Sequence, residues 1–236
     1  MSGVRTLRKR GGGMRLVLVG PPGSGKGTQA ERLCDRLHLT YIGTGDILRD
    51  AIRRQTPIGR QVDPLIKQGL LVPDPVVNEV VAELFQRPDR PERFVLDGYP
   101  RTYPQAVAFD ALMLQQYLGL DAVVNLTIPD DEVVRRISGR RCCSNPACGT
   151  CFHLVASPPK NPDVCDKCGS KLLLRTDDKE ETVRRRLAEF HRNTALLIHH
   201  YRAKGIVKDV EATDAVEVIY QNIIAKLPIP AGGGAA

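Results

Sequence analysis

Residues 15–19, RLVLV, form an unbroken run of Leu and Val, the pattern of a strand buried on both faces. A glycine-rich stretch follows. From Thr28 to Leu37 the apolar residues Ala30, Leu33, Cys34 and Leu37 then recur at helical spacing. The theme repeats down the chain. RFVL at 93–96 and AVVNLTI at 122–128 are apolar runs of strand length, and Ile206, Val207 and Val210 mark a short last strand. Helical periodicity covers Ile47 to Ile52, 59–69, Val76 to Leu84, 105–117, 130–137, 178–201 and 215–227. Asp74 is placed to cap the helix at 76–84, with Pro75 at its first position. The order is strand–helix repeated, with two interruptions, from about Gly43 to Pro73 and from about Ser138 to Arg175. It predicts a doubly wound α/β fold that binds ligands at the carboxyl ends of its strands.

Length and composition narrow this further. A chain of 236 residues suits one compact domain with insertions. No stretch approaches the roughly 18 apolar residues of a membrane span. The basic start MSGVRTLRKRGGG reads as a loose arm, not as a signal peptide, and Met14 is an alternative start. The closing PIPAGGGAA reads as a flexible tail. The net charge of +7 fits either a nucleic-acid surface or a pocket for small polyanions. Acidic residues interleave with the arginines at Asp177, Asp178, Glu180 and Glu181, and aromatics are only 5%, which argues for the pocket.

The stretch from Gly20 to Thr28, GPPGSGKGT, lies between the first strand and helix. Glycines there free the backbone amides to turn toward phosphate, and the helix N-terminus adds its positive end. Lys26 brings a mobile charge to the β/γ-phosphate region. Position 27 is Gly where phosphate loops usually carry Ser or Thr, so the hydroxyl comes one residue later, on Thr28. This implies a Mg²⁺ held through water. Asp97, at the end of a buried strand, can organise that ion. Arg101 just beyond it is suited to a phosphate fork, and Arg49 lies one turn into the helix after Asp46, giving a second phosphate site. Arg136, Arg140, Arg175 and Arg186 can neutralise a transferring phosphoryl group.

Six of the seven cysteines fall between Cys142 and Cys168. Cys165 and Cys168 have zinc-knuckle spacing. The other pair is Cys143 with Cys148, with Cys142 and Cys151 as alternatives. Four thiolates make a closed structural zinc site, while a redox pair, disulfides, an iron–sulfur centre and a nucleic-acid finger are competing readings. Cys34, alone, reads as a small buried hydrophobe.

The motifs GPPGSGKGTQA at 20–30, GTGDILR at 43–49, LVPD at 71–74, FVLDGYPR at 94–101 with Gln105, RRISGR at 135–140 and RTDDKEETVRRRL at 175–187 run in order along nearly the whole chain. In this the sequence resembles the adenylate kinase family, in its long form with a metal-binding lid. The resemblance implies the P-loop nucleoside monophosphate kinase fold, a parallel sheet flanked by helices. Its core would be 14–42, 74–137 and 176–228, with a small AMP-binding insertion at 43–73, a zinc-binding lid at 138–175, and flexible ends at 1–13 and 229–236. It implies the reaction ATP + AMP ⇌ 2 ADP with Mg²⁺ and a structural Zn²⁺. ATP would meet Pro22, Gly23, Ser24, Gly25, Lys26, Gly27, Thr28, Arg136, Arg140 and Lys208. AMP would meet Thr44, Arg49, Val72, Gly98, Arg101, Gln105, Arg175 and Arg186. Lys26, Asp97, Arg101, Arg136, Arg140, Arg175 and Arg186 would act on the transferring group, with Asp177 and Asp178 an acidic pair at the lid hinge. The zinc ligands would be Cys143, Cys148, Cys165 and Cys168, with Cys142 and Cys151 spare.

Four features depart from the family pattern. Gly43 replaces the Ser of STGD, Pro75 an acidic residue and Leu196 a Pro, and SNPA lengthens the first cysteine spacing. The resemblance also implies a cytoplasmic monomer with no nucleic-acid or membrane partner. The alternatives are a UMP/CMP or GTP-dependent nucleoside monophosphate kinase and, more distantly, a zinc-containing nucleic-acid-binding protein.

Overall fold

The computed structural model describes residues 13–155, 157–175 and 178–228. The expectations for the arm up to residue 12, for Asp177 and for the tail at 229–236 therefore lie outside the described residues. Strands β1 (Arg15–Val19), β2 (Thr40–Gly43), β3 (Phe94–Asp97), β4 (Ala122–Thr127) and β8 (Val207–Glu211) form one parallel sheet in the order β2-β3-β1-β4-β8. Between β4 and β8 in sequence, β5 (Arg140–Cys143), β6 (Cys151–His153) and β7 (Leu172–Leu173) make a separate antiparallel sheet in the order β6-β5-β7.

The unbroken apolar runs have a simple cause. Successive strand residues face opposite sides of the sheet, and here both sides are covered. Leu16 and Leu18 pack with Ala30, Leu33, Ile219 and Ile223, on α1 (Lys26–Leu37) and α8 (Val216–Lys226). Val17 and Val19 join the opposite core, with Val81 and Phe85 of α4 (Asp74–Gln86), Phe109 of α5 (Tyr103–Gln115) and Leu197 and Tyr201 of α7 (Glu180–Ala203). The first interruption carries α2 (Thr44–Arg53) and α3 (Pro57–Lys67). The second begins as α6 (Asp130–Ser138) ends. Val133 and Ile137 of α6 pack on Val183 and Leu187 of α7 and fix the base of that second insertion. Among the described residues no helix is long and apolar enough to cross a membrane.

Two local expectations change and one strand was not anticipated. Strand β2 lacks an apolar signature because it is an edge strand with Thr40 and Tyr41 exposed. Asp74 does not cap α4. It is the first helical residue, and its carboxylate accepts from Thr102 Oγ1 at 2.8 Å and Gln105 Nε2 at 2.7 Å. Helix α5 starts two residues before Gln105 because Thr102 caps it, accepting from the Gln105 amide at 3.2 Å.

Candidate active site

The strand order reverses at β1, so the loop at 20–25 opens at the topological switch point of the sheet. Gly25 is the N-cap of α1 at φ 88°, a left-handed conformation that only glycine adopts without strain. That turn aims the first amides of α1 into the cleft. Lys26 Nζ donates to Gly20 O and Pro21 O, both at 2.8 Å. Burial pushes its pKa down to about 8. Asp97 opposes the shift, and Arg101, Arg186 and Arg140 add to it. The lysine therefore lies within the field of one carboxylate and three arginines.

Asp97 ends β3, next to β1, and a Cβ on Gly27 would lie 3.8 Å from its Oδ2. The gap left by Gly27 thus faces the carboxylate that could hold a hydrated metal. Beyond Asp97 the chain turns sharply at Gly98, at φ 85°. A Cβ there would come within 2.8 Å of Thr44 Oγ1 and 3.0 Å of an Arg101 guanidinium nitrogen. Arg101 Nε donates to Gly98 O at 2.7 Å, and its backbone amide donates to Gln105 Oε1 at 2.7 Å. Gln105 is buried and its Nε2 is held by Asp74, so this glutamine fixes the turn that presents Arg101. Arg49 pairs with Asp46 at 2.5 Å in the first turns of α2.

On the donor side Arg136 Nε donates to Glu132 at 2.8 Å and its Nη2 donates to Thr213 O at 3.2 Å. Arg140 grips the fully buried carboxylate of Asp178 with two nitrogens, Nε at 2.7 Å, and Arg186 approaches the same carboxylate at 3.9 Å. One cleft of 2310 Å³ is lined by residues 22–28, by Asp97 and by the phosphate-side arginines 49, 101, 136, 140, 175 and 186, together with Thr44, Val72, Gly98 and Gln105. That is more than twice the roughly 300–1,000 Å³ of a site for a single small molecule. Lys208 is the exception. It is the second residue of β8, paired with Val124, and does not line the cleft. The carboxyl end of that strand leads instead to Thr213, Asp214 and Ala215, which do. No motif marks those three residues.

In the second insertion the sulfurs of Cys143, Cys148, Cys165 and Cys168 all lie within 4.8 Å of one another. Two of the separations are 3.4 Å, between Cys143 and Cys168, and 3.7 Å, between Cys148 and Cys165. Thiolates on a tetrahedral zinc at roughly 2.3 Å sit about 3.8 Å apart, so the group can hold a metal with little movement. Hydrogen bonding from Ser170 brings the Cys168 thiol down to about 6, and Thr150 lowers that of Cys148. Cys142 and Cys151 are bonded to each other. They are direct cross-strand partners on β5 and β6, with Cα atoms 4.0 Å apart. The second insertion thus carries both a four-cysteine group that could hold a metal and a disulfide. Cys34 is half-buried against the α1–α8 core, and burial pushes its thiol up to about 11. In protein prepared without reductant, then unfolded with a chelator present, a thiol reagent is expected to find the five free cysteines, and all seven only after reduction. Seven before reduction would rule out the cross-strand bond.

A phosphate loop at the switch point of a parallel sheet, with a strand-end carboxylate and several arginines lining the same cleft, defines a nucleotide-binding α/β protein of the phosphoryl-transfer class. The family model of adenylate kinase matches residues 18–206. The adenylate kinase of Archaeoglobus fulgidus is 46% identical over 214 residues, 91% of this chain and 98% of that one. That of Streptomyces coelicolor is 44% identical over 214 residues, with the same coverage. The enzyme from Caldicellulosiruptor bescii is 45% identical over 194 residues, 82% of this chain and 89% of that one. The chain belongs to the adenylate kinase family.

Proposed function

We propose that the protein transfers the γ-phosphoryl group of ATP to AMP, reversibly and with Mg²⁺, giving two ADP. The observation that carries this is the charge around Lys26. Asp97, Arg101, Arg140 and Arg186 all act on it, and the phosphate loop, this carboxylate and these arginines, drawn from separate segments, line one cleft. Transfer between two polyanions needs charge neutralised on both sides of the moving group, whereas hydrolysis needs only one nucleotide to be held.

Residues 22–28 with Arg136 and Arg140 hold the ATP phosphates. The adenine of ATP lies toward Thr213–Ala215 and not toward Lys208. Thr44, Val72, Gly98 and Gln105 hold the nucleoside of AMP, while Arg49, Arg101, Arg175 and Arg186 take its phosphate. Bound Mg²⁺ supplies charge neutralisation on the β- and γ-phosphates. Asp97 orients its water shell across the gap left by Gly27. No general base is needed, because alignment and charge carry the reaction. Residues 43–73 close over AMP and 138–175 over ATP. Closure excludes water, which is the competing acceptor.

The four-cysteine group holds one structural Zn²⁺, which supplies folding energy that a lobe of about 38 residues cannot draw from its small core. One zinc per chain is expected by elemental analysis. C143S and C148S should lose it and C142S keep it. Full zinc in C143S would sink the ligand assignment. The enzyme works as a cytoplasmic monomer on free nucleotides, without nucleic acid.

The reading is tested by offering AMP, UMP, CMP and GMP with labelled ATP. AMP should be phosphorylated at least a hundredfold more efficiently than the others. A preference for UMP or CMP would favour the alternative monophosphate kinase.

A further inference from the structure

Strand β2 brings a tyrosine to the centre of this site, and nothing above assigns it a role. Tyr41 Oη lies 3.1 Å from Asp46 Oδ2 and 3.4 Å from Asp97 Oδ2. The register of β2 on β3 sets Gly43 opposite Asp97, so Tyr41 stands two residues before the carboxylate's level and its ring reaches forward along the strand. The ring fits only because residue 43 has no side chain. A Cβ there would lie 2.6 Å from Tyr41 Oη, 2.6 Å from Asp46 Oδ2 and 2.8 Å from Tyr41 Cε1. The departure from the family's Ser at this position is therefore matched by a side chain that fills the space.

We propose that Tyr41 is a positioning residue for phosphoryl transfer, whose single phenolic hydrogen lies between Asp46 and Asp97 and sets the direction in which the Asp97 carboxylate points. A phenol has one hydrogen to donate and each ionised carboxylate can only accept. Without that hydrogen the two carboxylates would face each other across the gap with no donor from the phenol between them. Burial, with Asp97 and Asp46 adding to it, raises the tyrosine's pKa and keeps the hydrogen in place. Asp46 is itself anchored by Arg49 at 2.5 Å, so the phenol is held from a fixed point on α2. The result is an Asp97 with one oxygen facing the shared phenolic hydrogen at 3.4 Å, which biases its orientation before a nucleotide arrives. This rests on the reading of Asp97 as the carboxylate that orients the hydrated Mg²⁺.

Tyr41→Phe keeps the ring and removes only the hydrogen bond. It is expected to lower kcat about fivefold to tenfold with KM for AMP and ATP changed less than threefold. The Mg²⁺ concentration for half-maximal rate should rise about threefold. In calorimetry with a non-transferable ATP analogue, the gain in affinity on adding Mg²⁺ should shrink by a similar factor. Gly43→Ser would displace the end of a mobile side chain and not the backbone, so it should reproduce these changes in a folded protein. The double variant should be no worse than the more impaired single one. Asp97→Asn separates the two ideas. If it leaves the Mg²⁺ dependence of binding and rate as in the wild type, the reading of Asp97 fails and the proposal with it. If Asp97→Asn is impaired while Y41F matches the wild type in kcat and Mg²⁺ dependence, the proposal alone is overturned.

Discussion

Replacing Lys26 by methionine is expected to lower kcat for ADP formation about 10³-fold, with the melting temperature nearly unchanged. The size follows from removing one preorganised cation from a transferring phosphoryl group. The fold should survive because methionine keeps the apolar stem, and the lysine's own partners all lie within the loop, Gly20 O and Pro21 O at 2.8 Å and Ser24 Oγ at 3.5 Å. The same residue predicts a pH dependence. Burial leaves Nζ with a pKa of about 8 in the free protein. A bound polyphosphate would favour the charged form and raise that value. Affinity for the ATP analogue should then be fully present below pH 8 and weaken as pH rises through it, up to about tenfold per unit. Binding titrations from pH 6.5 to 9.5 check this. A flat profile, or a K26M enzyme within tenfold of the wild type, would contradict the donor-side role.

Asp178→Ala is expected to cost about 3 kcal/mol of stability and to lower kcat by about tenfold to a hundredfold. The Asp178 side chain is 0% exposed, while Arg140 and Arg186 retain 27% and 22% exposure. Removing the acidic partner of a buried pair costs roughly 3–5 kcal/mol, and the lower end applies where the cations keep access to water. For a protein of this length that is a fall of roughly 6–12 °C in the melting temperature. The kinetic loss has a separate origin. Arg140 and Arg186 are aimed by this carboxylate, and misplacing such groups by about 1 Å can cost around a hundredfold. Thermal unfolding followed by circular dichroism, with steady-state kinetics well below the melting point, separates the two effects. A D178A enzyme that melts with the wild type would show that this buried pair does not contribute to stability.

The parts of the site that were legible in the sequence are the local ones. A phosphate loop is a strand, a glycine turn and a helix in immediate succession, and Asp97, Gly98 and Arg101 follow one another at a strand end, so their geometry is fixed within a few residues. What was hidden depends on contacts between distant segments. Asp74 looked like a helix cap and instead ties α4 to Thr102 and Gln105, a partnership across about thirty residues. The spacing alone left the first cysteine pair open and only the family resemblance chose Cys143 and Cys148; the hairpin register of β5 and β6 is what sets Cys142 against Cys151 and leaves Cys143 for the cluster. Lys208 lies on β8, but the residues there that line the cleft are Thr213, Asp214 and Ala215 just beyond the strand, and no motif marks them. Tyr41 carried no signal at all, since an edge strand with two exposed residues has no apolar run and its role depends on the missing side chain of Gly43.

The most direct test of the account follows both nucleotides at once. ATP labelled in its γ-phosphate and AMP labelled in its base are mixed with enzyme and Mg²⁺, and the products are separated over time. The account predicts that ADP carrying both labels appears from the first turnover together with an equal amount of unlabelled ADP, that ATP is stable when AMP is left out, and that ADP alone regenerates ATP and AMP. Release of labelled inorganic phosphate at the same rate with and without AMP, while the AMP stays unchanged, would contradict it.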